Sequence, residues 1–210
     1  MDVDEGKDGI LKVESSAKIC LLDMDGTVAD YAGQIERDLA KLAAPGEPQY
    51  KLNWNDRLPP HVWNRVEMIK NSKDWWLNLP KLDDGFTLLG MAISIGFEIH
   101  VLTKGPRNTK VAWTQKVEWC AEHLPEDTNV TITQDKSLVY GRILIDDYPD
   151  YMLAWVEQRP RGLGVMPLRE WNKDFRHPNV VHYDESLAYS SDVYGSISMV
   201  SDRMQEQFDR

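Results

Sequence analysis

Lys18-Ile19-Cys20-Leu21-Leu22, followed at once by Asp23-Met24-Asp25-Gly26-Thr27, is the stretch on which the reading of the fold turns. A short apolar run of this kind reads as a buried strand, and it ends directly in two carboxylates spaced two apart. Alternation along a strand sends residues i and i+2 to the same side, so Asp23 and Asp25 can share one site, and Gly26 lets the chain turn sharply beneath it. The bland alternative is a plain polar turn, since turns favour Asp and Gly. A calcium loop does not fit the spacing. An EF-hand in this register needs an acidic residue two before Asp23 and a bidentate Glu at its twelfth position, and the chain has Leu21 and Ala32 there.

Beyond this stretch, Val28 to Ala44 reads as a helix ending at Pro45-Gly46, and Pro59-Pro60 open a second over about His61 to Asn71. Phe86 to Ile95 is a helix closed by Gly96. Glu98 to Leu102 follows as a strand, Arg107 to His123 as a helix, Val130 to Ile132 as a short strand, and Ile143 to Ile145 as the next, ending in Asp146-Asp147. Continuous apolar strands alternating with helices indicate a parallel sheet covered on both faces, whose ligands bind at the strands' carboxyl ends. The expected fold class is α/β, a Rossmann-like three-layer parallel sheet with a small helical cap inserted after the first strand. The expected parts are a flexible N-terminal tail at 1–17, a core domain of 18–30 plus 85–183, a helical cap at 31–84 and a polar C-terminal tail at 184–210. Within that last stretch Leu187, Tyr189, Tyr194, Ile197, Val200 and Met204 leave open a weak helix packed against the rest.

A chain of 210 residues can bury one sizeable core with an inserted subdomain. A net charge of −10 argues against a general nucleic-acid or anionic-membrane binder, which needs clustered Lys and Arg; a small anionic substrate would need local positive charge instead. Two cysteines without a signal peptide give no sign of an oxidising compartment, so cytoplasm is the default, and no apolar run approaches the length of a membrane span. Oligomeric state is not legible, and a homodimer is left open.

Four polar signals fall at strand ends: Asp23/Asp25, Thr103 after Val101-Leu102, Lys136 in Thr133-Gln134-Asp135-Lys136, and Asp146/Asp147. Thr103 and Lys136 taken singly read as ordinary surface residues, and Asp146-Asp147 ahead of Pro149 as a turn or helix cap; their order and placement suggest one reaction. Asp23 can attack the phosphorus of a phosphomonoester, splitting a very slow hydrolysis into two easier steps. Asp25 would protonate the leaving oxygen and then, ionised, take a proton from the attacking water. A carboxylate and a phosphate dianion repel, so a hard cation is required, and Mg²⁺ suits an oxygen cage made of Asp23, the backbone carbonyl of Asp25, and Asp147 or Asp146. Lys136 and the Thr103 hydroxyl would hold the remaining phosphate oxygens.

These motifs, Asp23-Met24-Asp25-Gly26-Thr27, Leu102-Thr103, Asp135-Lys136 and Ile145-Asp146-Asp147, resemble those of the haloacid dehalogenase superfamily of phosphotransferases over about residues 18 to 165. The resemblance excludes two branches, because dehalogenases lack the second aspartate and transport ATPases carry Thr there. A narrower likeness is to the 5'(3')-deoxyribonucleotidases, carried by Asp23 to Asp30, Ser72-Lys73-Asp74-Trp75-Trp76-Leu77-Asn78-Leu79, Thr133 to Ser137, and Leu144-Ile145-Asp146-Asp147-Tyr148-Pro149-Asp150. It implies a deoxynucleoside monophosphate as substrate and assigns Trp75-Trp76 to the base and sugar pocket. This chain departs from the family at three places, having Lys104 for a common Ser, Gln134 for Arg and Tyr148 for Arg. Lys104 and Gln134 lie near the expected phosphate and base.

From the residues alone, Trp75-Trp76 reads equally as core or as ligand platform. Arg107, three past Lys104, reads equally as a phosphate ligand with it or as a solvated first turn. The five histidines lack ligand spacing and are assigned no metal. The expected function is a Mg²⁺-dependent phosphomonoesterase acting on deoxynucleoside monophosphates through an aspartyl-phosphate. The alternatives are a phosphatase of the same fold acting on a sugar phosphate or a nucleic-acid 3' end, for which no basic run is evident, and a catalytically silent binding module, which an intact Asp23, Asp25, Lys136 and Asp147 speaks against.

Overall fold

The structure, a computed structural model, describes residues 18–52, 58–190 and 194–210. The expected tail at 1–17 lies outside these. Among the described residues the chain runs β1 (Ile19–Leu22), α1 (Tyr31–Lys41), α2 (Pro60–Lys70), α3 (Asp83–Ile95), β2 (Glu98–Lys104), α4 (Val111–His123), β3 (Asn129–Thr133), β4 (Ile143–Ile145), α5 (Pro149–Gln158), β5 (Leu163–Pro167), β6 (Val180–Tyr183) and α6 (Ile197–Asp209). The six strands form one parallel sheet in the order β3-β2-β1-β4-β5-β6. The fold class and the parallel sheet are those the apolar runs predict, with β5 and β6 added to the strands they mark.

Side-chain alternation distributes the strands' apolar residues to two cores. Cys20 and Leu22 of β1 face one side and pack with Leu88 and Ala92 of α3, Trp119 of α4, and Val200 and Met204 of α6. Leu21 faces the other with Leu102, Leu144 and α5's Met152, Trp155 and Val156. Burial on both faces explains why these strands read as unbroken apolar runs.

Strand order reverses between β1 and β4, and at such a switch point the loops diverge and leave a crevice. The backbone N–H of Asp23 donates to the Ile145 carbonyl at 2.9 Å, so the ends of β1 and β4 are tied together at this place. Helix α1 starts at Tyr31 rather than Val28 because residues 26–29 close a tight turn, with the Gly26 N–H on the Ala29 carbonyl at 2.8 Å and Asp30 capping Gly33 at 3.0 Å. Gly26 has φ +81°, and a Cβ there would run into the Asp147 carboxylate. Gly85 in the first turn of α3 lies against the Thr27 carbonyl with no room for a Cβ, which brings α3 onto the same loop.

Two expectations need correcting. Within the expected polar tail at 184–210, the described residues 196–209 are not a tail: α6, capped by the Ser196 side chain, buries Val200 and Met204 completely against α3 and the sheet. Helix α4 starts at Val111, four residues after Arg107, because Gly105 to Lys110 forms a loop held by Trp113 Nε1 on the Pro106 carbonyl at 3.0 Å.

Met204 thus carries a stability prediction. Met204→Ala should cost about 2 to 5 kcal/mol, or roughly 5 to 15 °C in Tm for a chain of this size. A Tm within about 2 °C of the parent, by calorimetry, would return α6 to the status of a dispensable tail.

Candidate active site

The floor of the crevice is a buried charge cluster. Lys136, in a 3₁₀ turn capped by Asp135, follows β3 and is 3% exposed. Its Nζ lies 2.6 Å from Asp23 Oδ1 and 2.7 Å from Asp146 Oδ2. An ammonium has three donors, so two are spent on carboxylates and one is left over among the described residues. Asp146 Oδ1 accepts the Tyr148 N–H at 2.8 Å, so both its oxygens are engaged. Asp147 accepts the Trp171 Nε1 at 3.0 Å and the Thr27 hydroxyl at 3.3 Å.

One carboxylate oxygen from each of Asp23, Asp146 and Asp147 falls within 4.8 Å of the others. Three buried carboxylates at this spacing are the hard oxygen donors that a divalent cation takes. Their electrostatics agree. Burial, then the charges of Asp146 and Asp23, pushes the Asp147 carboxyl well above the usual carboxylate range, and burial also raises Asp146 against the pull of Lys136. A cation there would relieve both. Of the two aspartates after β4, Asp147 faces the cavity and Asp146 serves Lys136.

Above this floor is a cavity of about 270 Å³. Asp23, Asp25, Lys136 and Asp147 form its base, Tyr31, Trp76, Tyr148 and Tyr151 its aromatic walls, and Lys70 and Lys104 its cationic rim. Lys104 Nζ contacts the Tyr151 hydroxyl at 2.5 Å, and burial, reinforced by Lys136 and Arg107, pulls its ammonium below the usual value. Burial raises Asp25, opposed chiefly by Lys116, whose Nζ lies 2.5 Å from Asp25 Oδ2.

The other sequence-predicted residues divide. Trp76 lines the cavity, but Trp75 stands behind it, edge-on to Trp76 at 5.0 Å between centroids and bonded through Nε1 to Asp38 at 2.9 Å. Of the pair, only Trp76 therefore lines the cavity, because adjacent side chains in this turn point to different sides. Thr103 is wholly buried, its hydroxyl taken by Lys116 Nζ at 2.9 Å. Arg107 and Gln134 lie outside the cavity, in a separate surface depression with Pro106, Lys110 and Trp113, where Arg107 Nε donates to Gln134 Oε1 at 3.3 Å.

Several residues at the site were not singled out by the sequence reading. Lys116 is one, and its signal was legible: it falls on the apolar stripe of α4 made by Ala112, Trp119 and Cys120, where a charge needs a buried partner. Arg169, after β5, is another. Its guanidinium holds the Gly26 carbonyl through Nε at 3.1 Å and Nη2 at 3.0 Å, and Asp84 of α3 through Nη1 at 2.5 Å and Nη2 at 3.1 Å. Asn172 Nδ2 ties the Asp147 carbonyl to that of Pro167, each at 2.9 Å. These contacts come from distant loops and leave no pattern in the chain.

A parallel sheet with paired aspartates and a buried lysine at its switch point is the arrangement that the resemblance to the haloacid dehalogenase-like phosphotransferases implies. The family model for 5' nucleotidase, deoxy (pyrimidine), cytosolic type C protein matches residues 17–177, and the chain belongs to this family of phosphoric monoester hydrolases. It is 25% identical over 150 residues to the mitochondrial 5'(3')-deoxyribonucleotidase of Mus musculus, covering 66% of this chain and 68% of that one. A Bordetella pertussis protein assigned as a 5'(3')-deoxyribonucleotidase is 23% identical over 163 residues, or 74% and 86% of the two chains. A solved structure from Burkholderia xenovorans LB400, assigned to the haloacid dehalogenase-like hydrolases, superposes with a TM-score of 0.53 at 14% identity, covering 91% of this chain and 98% of that one.

The Arg169–Asp84 pair is open to a direct stability test. Arg169→Met should strand a buried carboxylate and cost about 3 to 5 kcal/mol, while Arg169→Met with Asp84→Leu should recover most of that. Equal melting temperatures for the single and double variants would mean that the pair carries no charge compensation.

Proposed function

We propose that the chain is a Mg²⁺-dependent nucleotidase that removes phosphate from deoxynucleoside monophosphates through an aspartyl-phosphate on Asp23. The observation that carries the reading is the cavity itself: a carboxylate and a lysine with one donor to spare form its base, and aromatic rings form its walls. Charge is needed below a phosphate and flat apolar surface beside a nucleobase.

Asp23 attacks phosphorus; a P–O bond to Asp23 forms as the bond to the leaving oxygen breaks, and Asp25 supplies that oxygen's proton. Asp25, now ionised, takes a proton from the water that opens the acyl phosphate. The free N–H of Lys136 and the ammonium of Lys104 bind the non-bridging oxygens. Asp23, Asp147 and the carbonyl of Asp25 would hold Mg²⁺, which supplies charge neutralisation for the carboxylate–phosphate encounter. The donor set fits, since of four carboxylates three, Asp23, Asp25 and Asp146, share only two lysines, Lys116 and Lys136, and Asp147 is bonded to neither.

We also read residues 31–84 as the cap, because Tyr31, Lys70 and Trp76, which overhang the cavity, all come from it. No helix among the described residues is long and apolar enough to cross a membrane, and two free, buried cysteines support a cytoplasmic placement.

Phosphate release from a panel of ribo- and deoxynucleoside monophosphates tests the reading. Activity should require added Mg²⁺ after EDTA treatment, and Asp23→Asn should abolish turnover while still binding nucleotide. Turnover of Asp23→Asn within about tenfold of the parent would remove Asp23 as nucleophile. The two tryptophans should separate. Trp76→Ala should lower kcat/KM for the nucleotide by roughly five- to 150-fold, as for a lost stacking partner, and that for acetyl phosphate far less. Trp75→Ala should instead lower Tm and depress both substrates alike. Equal losses on both substrates for Trp76→Ala would assign it to packing.

A further inference from the structure

Lys116 is fully buried on α4, and nothing in the proposed chemistry uses it. Its Nζ makes three hydrogen bonds: to Asp25 Oδ2 at 2.5 Å, to Thr103 Oγ1 at 2.9 Å and to the Lys104 carbonyl at 2.9 Å. Three donors meet three acceptors, so the ammonium has none to offer a substrate. That separates it from Lys136, which keeps one. The acceptors also come from two strand ends, Asp25 after β1 and Thr103 with Lys104 at the end of β2.

The cost of this arrangement argues for a purpose. Taking an ammonium and a carboxylate out of water is offset only by good geometry, and an apolar residue of similar size is often as stable. The α4 stripe around it, Ala112, Trp119 and Cys120, would accept a methionine. The Trp76 ring, 5.0 Å from the ammonium, closes the remaining side.

We infer that Lys116 is a positioning residue, a pin between α4 and two strand ends that fixes the Asp25 carboxyl relative to the end of β2 that presents Lys104 to the cavity. The inference rests on the proposed role of Asp25 as proton donor to the leaving oxygen. Without the pin, Asp25 can rotate about its side-chain bonds, and the leaving oxygen departs with less help. A misplacement of about 1 Å is worth on the order of 10²-fold in rate.

The signature is dependence on the leaving group. Phenolate needs a proton as it leaves far more than p-nitrophenolate does, and phenyl and p-nitrophenyl phosphate have nearly the same shape. The quantity to read is kcat/KM, which reports the steps up to departure of the leaving group. Lys116→Met should lose about 10²-fold on phenyl phosphate and less than about fivefold on p-nitrophenyl phosphate. Asp25→Asn, run alongside, should show the same selectivity. If Asp25→Asn is selective and Lys116→Met loses equally on both or on neither, the pin is overturned and the role of Asp25 survives. If Asp25→Asn is itself unselective, the proton-donor reading fails and the pin fails with it. Should Lys116→Met not fold by circular dichroism, Lys116→Arg keeps the charge but cannot make three bonds from one nitrogen. It is read on the same two substrates, with selective loss expected and equal loss overturning the inference.

Discussion

The contact on which the rest of the site depends is the bridge from Lys136 to Asp23 and Asp146. It joins the ends of β1 and β4 at the place where the sheet changes direction, in a position almost without solvent. A buried ion pair is a weak source of net stability, because desolvation consumes most of the Coulomb gain. Its strength is in what it forbids. Displacing any one member strands the others as buried charges, so the two strand ends keep one relative position, and everything placed on them inherits it. Asp147 is next to Asp146 and Asp25 is two residues from Asp23. The loops that carry them are then pinned from outside by Arg169 on the Gly26 carbonyl and Asn172 on the Asp147 carbonyl. The site is stiff because its polar groups have nowhere else to go.

How much of this the sequence discloses depends on whether a feature is local. Strand β1 and its Asp-x-Asp-Gly ending are legible because burial on both faces gives an unbroken apolar run and the chemistry follows directly. Ile143 to Ile145 with Asp146-Asp147 is legible for the same reason. Strands β5 and β6 escape: Leu163-Gly164-Val165-Met166-Pro167 is interrupted by Gly and closed by Pro, and Val180 to Tyr183 is short and holds a buried His182. Helix α6 is faint in the sequence because its apolar residues are sparse among Ser, Asp and Gln, although the three-to-four spacing of Ile197, Val200 and Met204 is helical. Arg169, Trp171 and Asn172 are legible nowhere, since their partners are loops far away in the chain. Trp75 and Trp76 show the limit of resolution. Adjacent aromatics give one signal, and only the turn they occupy decides that both pack in the core while Trp76 alone also lines the cavity.

The cavity also answers how a chain of net charge −10 can receive an anion. Lys70, Lys104 and Lys136 line it, with Lys116 just beneath. At physiological ionic strength the Debye length is about 8 Å, so the acidic residues spread over the outer surface are screened from one another and from an approaching phosphate. At the base of the cavity Lys136 is almost without solvent exposure and screening is weak, so its charge acts at closer to full strength. Net charge then governs solubility and long-range approach, while the local arrangement governs binding. Burial first, and then the positive charges of Lys136 and Arg107, hold the Lys104 ammonium below its usual value. An arriving phosphate dianion would relieve that repulsion, so the cations are held in a state that bound phosphate improves, much as the carboxylates below them are held in a state that a bound cation improves. The two halves of the site carry opposite unmet demands, and a phosphate bound together with a divalent cation would meet both.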